Sequence, residues 1–374
     1  MASDTFEDAS AVDLAGFDEQ LARRAIRGFW DMLGEYEMLE PRPPELPEIW
    51  HHADYQPLAL ESLRAVPIER ADRRNLFFSN PGLGGSGAIT NRLLGGVQAI
   101  NPGERQDVHR HTASAVRVML DGSGAFTTVE GGRSNLGYGD VVINPNGLWH
   151  ESGNDGIDPV VWMDVLDLPL TKLLHANFFS NTYTEAGEDG PVRSTNQTLT
   201  HPDDWFGYAF GVGGVRPERL PLEPQFGSSQ MLYRYAATRK LLGRLRSERA
   251  DPHEGTIVRY VDPRTGAPVL RTLDVRVQLL GPDSPTRRKR STGGTIYCCL
   301  EGSGVTRAGT RDLRWSERDI FVVPPWTWRE HAAESSDAVL VAISDEPALA
   351  QLGLHAVDVV DESGDVVRVQ GLVS

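Results

Sequence analysis

Ala115-Val-Arg-Val-Met-Leu-Asp-Gly-Ser-Gly124 occurs a second time, 180 residues on, as Thr295-Ile-Tyr-Cys-Cys-Leu-Glu-Gly-Ser-Gly304. The chain then repeats itself again. Asp140-Val-Val-Ile-Asn-Pro145 aligns with Asp319-Ile-Phe-Val-Val-Pro324 at an offset of 179, and each is followed by a tryptophan, Trp149 or Trp328. An apolar run closed by Gly-Ser-Gly or by proline reads as a short strand ending in a turn. Two copies of such a unit in one chain predict two equivalent β-barrels.

The surrounding sequence fits that reading. A chain of 374 residues can bury a large core and hold two domains, and its 38 Gly and 24 Pro suit many short strands. Between 88 and 170, the runs Ala115–Leu120, Ala125–Val129, Asp140–Ile143 and Val160–Val165 read as strands, and the rhythm returns from Thr256 to Ser344. A last strand is expected at Val357–Val360 or Val366–Val373.

Outside the barrels, Leu14, Phe17, Leu21, Ala25, Phe29 and Leu33 have helical spacing, with Asp13 as N-cap and a stop at Pro41–Pro47. Residues 1–12 are expected to be disordered, 48–80 to form a connecting arm, and 171–230 to be irregular. Residues 231–248 read as a helix with Leu232, Tyr235, Leu241, Leu242 and Leu245 on one face. The expected organisation is an N-terminal helix and arm (1–87), a first barrel (88–170), a linker with a helix (171–255) and a second barrel (256–374).

A net charge of −15 argues against a general nucleic-acid binder or an anionic membrane surface, though not against an anionic substrate met by local cations. No stretch is long and apolar enough to span a bilayer, and the first residues lack the basic and apolar regions of a signal peptide, so a cytoplasmic location is expected. The two cysteines, Cys298 and Cys299, are adjacent in an apolar run and read as strand residues rather than nucleophiles.

Against this background three histidines stand out. His109 and His111 lie two apart on a predicted strand and so share a face, and His150 follows on another. Three imidazoles with open positions opposite them describe a catalytic metal site rather than a closed structural one. In the second copy the aligned positions are Lys289, Ser291 and Arg329. The fold therefore does not require the histidines, and their joint presence in one copy points to a joint purpose.

The segments carrying them resemble the two cupin motifs. Gly103, His109 and His111 match the first, which here lacks its usual glutamate; Gly139, Pro145, Gly147, His150 and Asn154 match the second. Further stretches resemble the gentisate 1,2-dioxygenase group of bicupins, which includes salicylate and 1-hydroxy-2-naphthoate ring-cleaving enzymes. These are Glu69-Arg-Ala-Asp-Arg-Arg-Asn-Leu76, Asn80-Pro-Gly-Leu83, His109-Arg-His-Thr-Ala-Ser-Ala-Val-Arg117, Trp162-Met-Asp-Val-Leu-Asp-Leu-Pro169, Asp251-Pro-His-Glu-Gly255 and Arg259-Tyr-Val-Asp-Pro-Arg-Thr-Gly266. The similarity runs from about residue 40 to about residue 345.

The resemblance implies a mainly β bicupin: two double-stranded β-helix (jelly-roll) barrels with an N-terminal helix and a helical linker. It implies Fe(II) held by His109, His111 and His150. It also implies an aromatic carboxylate chelated through its carboxylate and ortho hydroxyl, with O₂ as co-substrate. Extradiol-type opening would fall between the carboxyl- and hydroxyl-bearing carbons. A homotetramer or other homo-oligomer is implied as well. Three neutral imidazoles leave a divalent ion its full charge, which suits a dianionic chelate. The other readings are a different metal-dependent cupin enzyme and a non-enzymatic small-molecule-binding bicupin.

Arg117, six residues after His111, is expected on the same strand face, where its fork can hold a carboxylate or developing negative charge. Gln98 matches the family pattern as a hydrogen-bonding partner for substrate oxygen, and Asp164 as an orienting carboxylate. Arg73 and Arg74 are candidates for the substrate carboxylate, with Leu94 as a further substrate contact. Ser152 marks a departure, because the family commonly carries a second histidine there. Serine is no base near neutral pH unless activated, so a substrate other than gentisate itself is a live expectation.

Overall fold

The computed structural model describes residues 14–371 apart from 186, 212, 214, 220–226, 247–249 and 283. The segment expected to be disordered (1–12), the expected cap Asp13 and the end of the last candidate strand (372–373) lie outside the described residues. The chain divides into two compact units, 1–42 and 43–374.

In the first unit the helical periodicity is only partly realised. A helix spans Leu14–Ala22, a 3₁₀ turn Phe29–Asp31 and a short helix Leu33–Tyr36. The break is local: Ala25 adopts a left-handed φ of 55° and the Ile26 N–H returns to the Leu21 carbonyl, a helix-ending geometry.

The second unit contains two barrels, each made of two facing antiparallel sheets. In the first barrel, one sheet runs Leu232–Tyr233, Val141–Asn144, Ala115–Asp121, Val160–Leu166, Leu94–Ile100, Asn75–Phe77. Its partner runs Phe179–Ser180, Arg105–His111, His150–Asn154, Ala125–Val129, Gly132–Asn135. The second barrel repeats the order of the first sheet with Glu48–Trp50, Ile320–Val323, Thr295–Glu301, Ala338–Ser344, Asp274–Leu280, Thr256–Arg259. Its other sheet runs Arg311–Ser316, Ser303–Ala308, Arg329–Ala333, Lys289–Ser291, Val357–Val360, Val366–Gln370. Both candidate C-terminal strands thus form, as a hairpin. The arm before the first barrel supplies an edge strand to each barrel.

Alternation along the strands explains why they are apolar throughout. Val116, Val118 and Leu120 pack in one cluster with Ile296, Cys298 and Leu300 of the second barrel. The intervening Met119 joins Ile100, Trp162, Val142 and Leu136 inside the first barrel. Strands buried on both faces need apolar residues on both. The interior positions that break this rule, Arg117, Gln98, Asp164 and the histidines, are therefore conspicuous.

Two helices differ from expectation. His52–Ala65 forms a helix in the expected arm, with Tyr55, Ala59 and Ser62 buried along one side despite an internal Pro57. In the linker, Leu232 belongs to a strand, the helix is Tyr235–Leu245, and its buried side is Tyr235, Thr238 and Leu242.

Candidate active site

The three histidines converge on the wall of a cavity of about 380 Å³ in the first barrel, with one ligand atom from each lying within 4.8 Å of the others. A β-bulge makes this possible. Strand Arg105–His111 pairs Arg105 with Gly153 and Gln106 with Ser152, then shifts so that His109 lies opposite His150. The extra residue turns both Gln106 and His109 toward the cavity, which strict alternation over three positions forbids.

Each imidazole is oriented by its own backbone. Nδ1 of His109 meets the Asp107 carbonyl at 2.8 Å, that of His111 the Ala113 carbonyl at 2.7 Å, and that of His150 the Leu148 carbonyl at 2.9 Å. A carbonyl only accepts, so Nδ1 carries the proton in all three and Nε2 is left with a free lone pair. Burial, aided by the Arg73 cation, pushes His109 well below the usual imidazole range. Burial does the same to His150 and lowers His111. Neutral, Nδ1-tethered imidazoles with converging Nε2 atoms fit a divalent transition metal, and open cavity opposite them leaves room for exogenous ligands.

Across the cavity, the interior face of the facing sheet carries three rows. Strand register lines up Leu94, Leu166, Ala115 and Asn144 in one row; Gly96, Asp164 and Arg117 in the next; and Asn75, Gln98 and Trp162 in the third. Arg117 is buried, and its expected free fork is already engaged. Nε and Nη2 donate to Asp164 at 2.8 and 3.0 Å, and Nη1 donates to Thr127 at 2.9 Å and to Ser152. The guanidinium also lies 4.0 Å over the Trp162 ring, whose Nε1–H donates to Asp164 at 3.0 Å. With four of five N–H groups engaged, Arg117 is a fixed positive charge with one N–H to spare rather than a bidentate clamp. Asp164 thus meets both Arg117 and the Trp162 Nε1–H.

The remaining candidates divide. Gln98 is 1% exposed, faces the cavity, and neither its carbonyl oxygen nor its amide nitrogen has a partner. Leu94 and Ser152 line the same cavity. Arg73 does too, pairing with Asp72 at 2.8 Å beneath the Phe179 ring. Arg74 does not. Its guanidinium is buried against Glu104 at 2.7 Å and the Val66 carbonyl at 2.8 Å. Asn75, Gln106, Asn144 and Phe179 were not singled out from sequence, yet they line the cavity. For Asn144 a signal existed, since the repeat aligns it with Val323.

The second barrel has a different solution at the same place. Lys289 pairs in register with Arg329, as His109 does with His150. Glu254 fills the space between them, 2.6 Å from Lys289 Nζ and 2.7 and 2.9 Å from Arg329 Nη2. Burial alone would raise the Glu254 carboxyl, but the two cations hold it well below the usual carboxylate range. Among the described residues, the only group of three or more His, Cys, Asp or Glu side chains arranged to hold a metal is the histidine triad.

Known proteins agree with this architecture. A model of the cupin domain matches residues 96–166. The chain is 34% identical over 341 residues to gentisate 1,2 dioxygenase 1 of Aquipseudomonas alcaligenes, covering 90% of this chain and 94% of that protein. It is 32% identical over 355 residues to 5-aminosalicylate 1,2-dioxygenase of a Comamonas species, covering 93% and 91%. Salicylate 1,2-dioxygenase from Pseudoaminobacter salicylatoxidans, solved as adducts with gentisate, superposes with a TM-score of 0.84 at 26% identity, covering 96% and 97% of the two chains. Among the described residues no helix is long and apolar enough to cross a membrane. With a cupin fold repeated twice, a metal-ready histidine triad in one copy and this similarity along most of its length, the chain belongs to the gentisate 1,2-dioxygenase-like family of ring-cleaving bicupin dioxygenases.

Proposed function

We propose that the protein binds Fe(II) at His109, His111 and His150 and opens the ring of gentisate or a related salicylate between its carboxyl- and hydroxyl-bearing carbons. The observation that carries this reading is the triad itself: three neutral imidazoles, each tethered through Nδ1, on one wall of a cavity. The chemistry such a metal supplies is chelation of the carboxylate and ortho hydroxyl together with activation of O₂.

The chain's own residues do the rest. Gln98 offers a buried carboxamide with nothing to bond, so a substrate oxygen and hydroxyl satisfy groups that are costly to leave bare. Arg117, held by Asp164, Thr127 and Ser152, keeps one N–H donor for a substrate oxygen in a site shielded from water. Arg73 stands at the cavity wall for the substrate carboxylate, and Leu94 with Leu166 gives the ring an apolar surface. Ser152 serves as a hydrogen-bond partner that fixes Arg117, not as a base.

The test is anaerobic loading with Fe(II), followed by O₂ uptake with a panel of 2-hydroxybenzoates. Uptake matched by loss of the aromatic absorbance is expected. A metal-loaded protein that consumes no O₂ with any member of the panel overturns the reading. On the same panel, Arg117→Met combined with Asp164→Asn removes the ion pair without stranding a buried charge. It is expected to lower kcat/KM by about 100-fold, the scale of one charge-assisted contact, while metal content stays at the wild-type level. Metal loss with unchanged substrate affinity contradicts that role.

A further inference from the structure

We propose that Asn144 determines which ring substituent the enzyme accepts, by taking a hydrogen bond from a hydroxyl or amino group on the aromatic acid. The inference rests on the ring-cleavage reading above and names the substrate class of that site.

Asn144 is 2% exposed and lines the cavity, and its Oδ1 is enclosed with no donor. A buried acceptor left bare is destabilising, so its retention calls for a partner that arrives with the ligand. The barrel itself does not need a polar residue there: the aligned position in the metal-free barrel is Val323, which is buried in that barrel's apolar core.

Position gives the amide its role. Asn144 ends the row whose other members are Ala115, Leu166 and Leu94. Strands are spaced about 4.8 Å apart, so the stretch from Leu166 to Asn144 is roughly 10 Å, the span of a substituted benzene ring. A flat ring laid on the aliphatic members brings a substituent to the polar end. The turn that follows Asn144 is fastened to the metal wall, because the Gly147 N–H donates to the His111 carbonyl at 2.9 Å. The strand end that carries the amide is thereby joined to the wall that carries the histidines.

The sign of the preference follows from the bare atom. An oxygen without a donor rewards O–H and N–H and gains nothing from a methyl group. It repels the lone pairs of a nitro group or a halogen. A site built to hydrogen-bond one substituent discriminates strongly against analogues lacking it.

The test compares acids bearing hydroxyl, amino, methyl, nitro or no substituent at each open position of salicylate. Both equilibrium binding without O₂ and kcat/KM with O₂ are measured. Wild type is expected to prefer the hydroxyl or amino acid over the unsubstituted one by at least about tenfold at one ring position. In Asn144→Val and in Asn144→Ala that ratio is expected to fall to within about threefold of unity. A ratio of two substrates on one preparation does not depend on how much of it is folded. A ratio unchanged in both variants overturns the proposal, as does a wild-type preference for the nitro or methyl acid. Failure of metal-loaded wild type to bind or turn over any of the acids overturns the ring-cleavage reading instead, whatever Asn144 does.

Discussion

Metal content and turnover are expected to fall to background in His111→Ala while the protein keeps its fold. Losing a group that merely orients a metal-bound histidine costs about 10–100-fold in affinity, and losing the ligand itself exceeds that. His111 is the least enclosed of the triad, half-buried where His109 and His150 are fully buried, so its truncation leaves little cavity. The second barrel supplies the control within the same molecule. It closes with Ser291 at this position, and Ser291 accommodates itself by hydrogen-bonding His355 at 3.2 Å. Wild-type far-UV circular dichroism, a near-wild-type unfolding midpoint and loss of iron by elemental analysis are the expected set. Wild-type-like O₂ uptake by an iron-free His111→Ala protein removes the metal assignment altogether.

The cavity's charge balance gives that experiment further meaning. Arg117 is neutralised by Asp164 and Arg73 by Asp72, while the three imidazoles are neutral. A divalent ion bound by the triad would then be the uncompensated charge in the site, and a dianionic ligand would cancel it. Removing His111 disturbs the metal without altering either ion pair. Removing Arg117 and Asp164 together leaves the metal's surroundings at the same net charge. Metal content and substrate selectivity are therefore separable readouts.

The barrels and the triad were legible in the sequence because both are periodic. Strands recur at an offset of about 180, and His109, His111 and His150 stand where the other copy has Lys289, Ser291 and Arg329. What stayed hidden depends on contacts across long separations. The helix His52–Ala65 carries Pro57 and few large apolar residues, and its first N–H is capped by Asp319, which also meets His51 at 2.9 Å. No local signal foretells a cap 267 residues away. Arg73 and Arg74 looked equivalent, yet after the turn at Asp72 one lines the cavity and the other is buried against Glu104. The role of Ser152 was readable as a departure, but its bond to Arg117 was not, because the two are joined only through barrel closure.

Glu254→Gln is expected to destabilise the second barrel by about 3–5 kcal/mol, the cost of removing one partner from a buried ion cluster. Lys289 and Arg329 both point at this carboxylate, and Gln278 donates to it as well. Neutral glutamine still offers one acceptor, but it strands two cations in a site from which water is largely excluded. The pH dependence carries the same sign. A carboxylate depressed in the folded state contributes stability above its unfolded value and loses it as pH falls toward the folded one. The cluster therefore acts at full strength through the neutral range and fades only in acid. Denaturant unfolding at neutral pH should show a lower midpoint for Glu254→Gln, and the gap from wild type should narrow as pH falls below the usual carboxylate range. The triple change Glu254→Leu, Lys289→Met and Arg329→Leu removes all three charges together. It should recover most of the loss, since apolar residues of similar volume often match or exceed a buried ion cluster in stability. An unchanged midpoint in Glu254→Gln, or a triple variant weaker than the single one, is incompatible with a charge cluster that closes this barrel where the other carries its histidine triad.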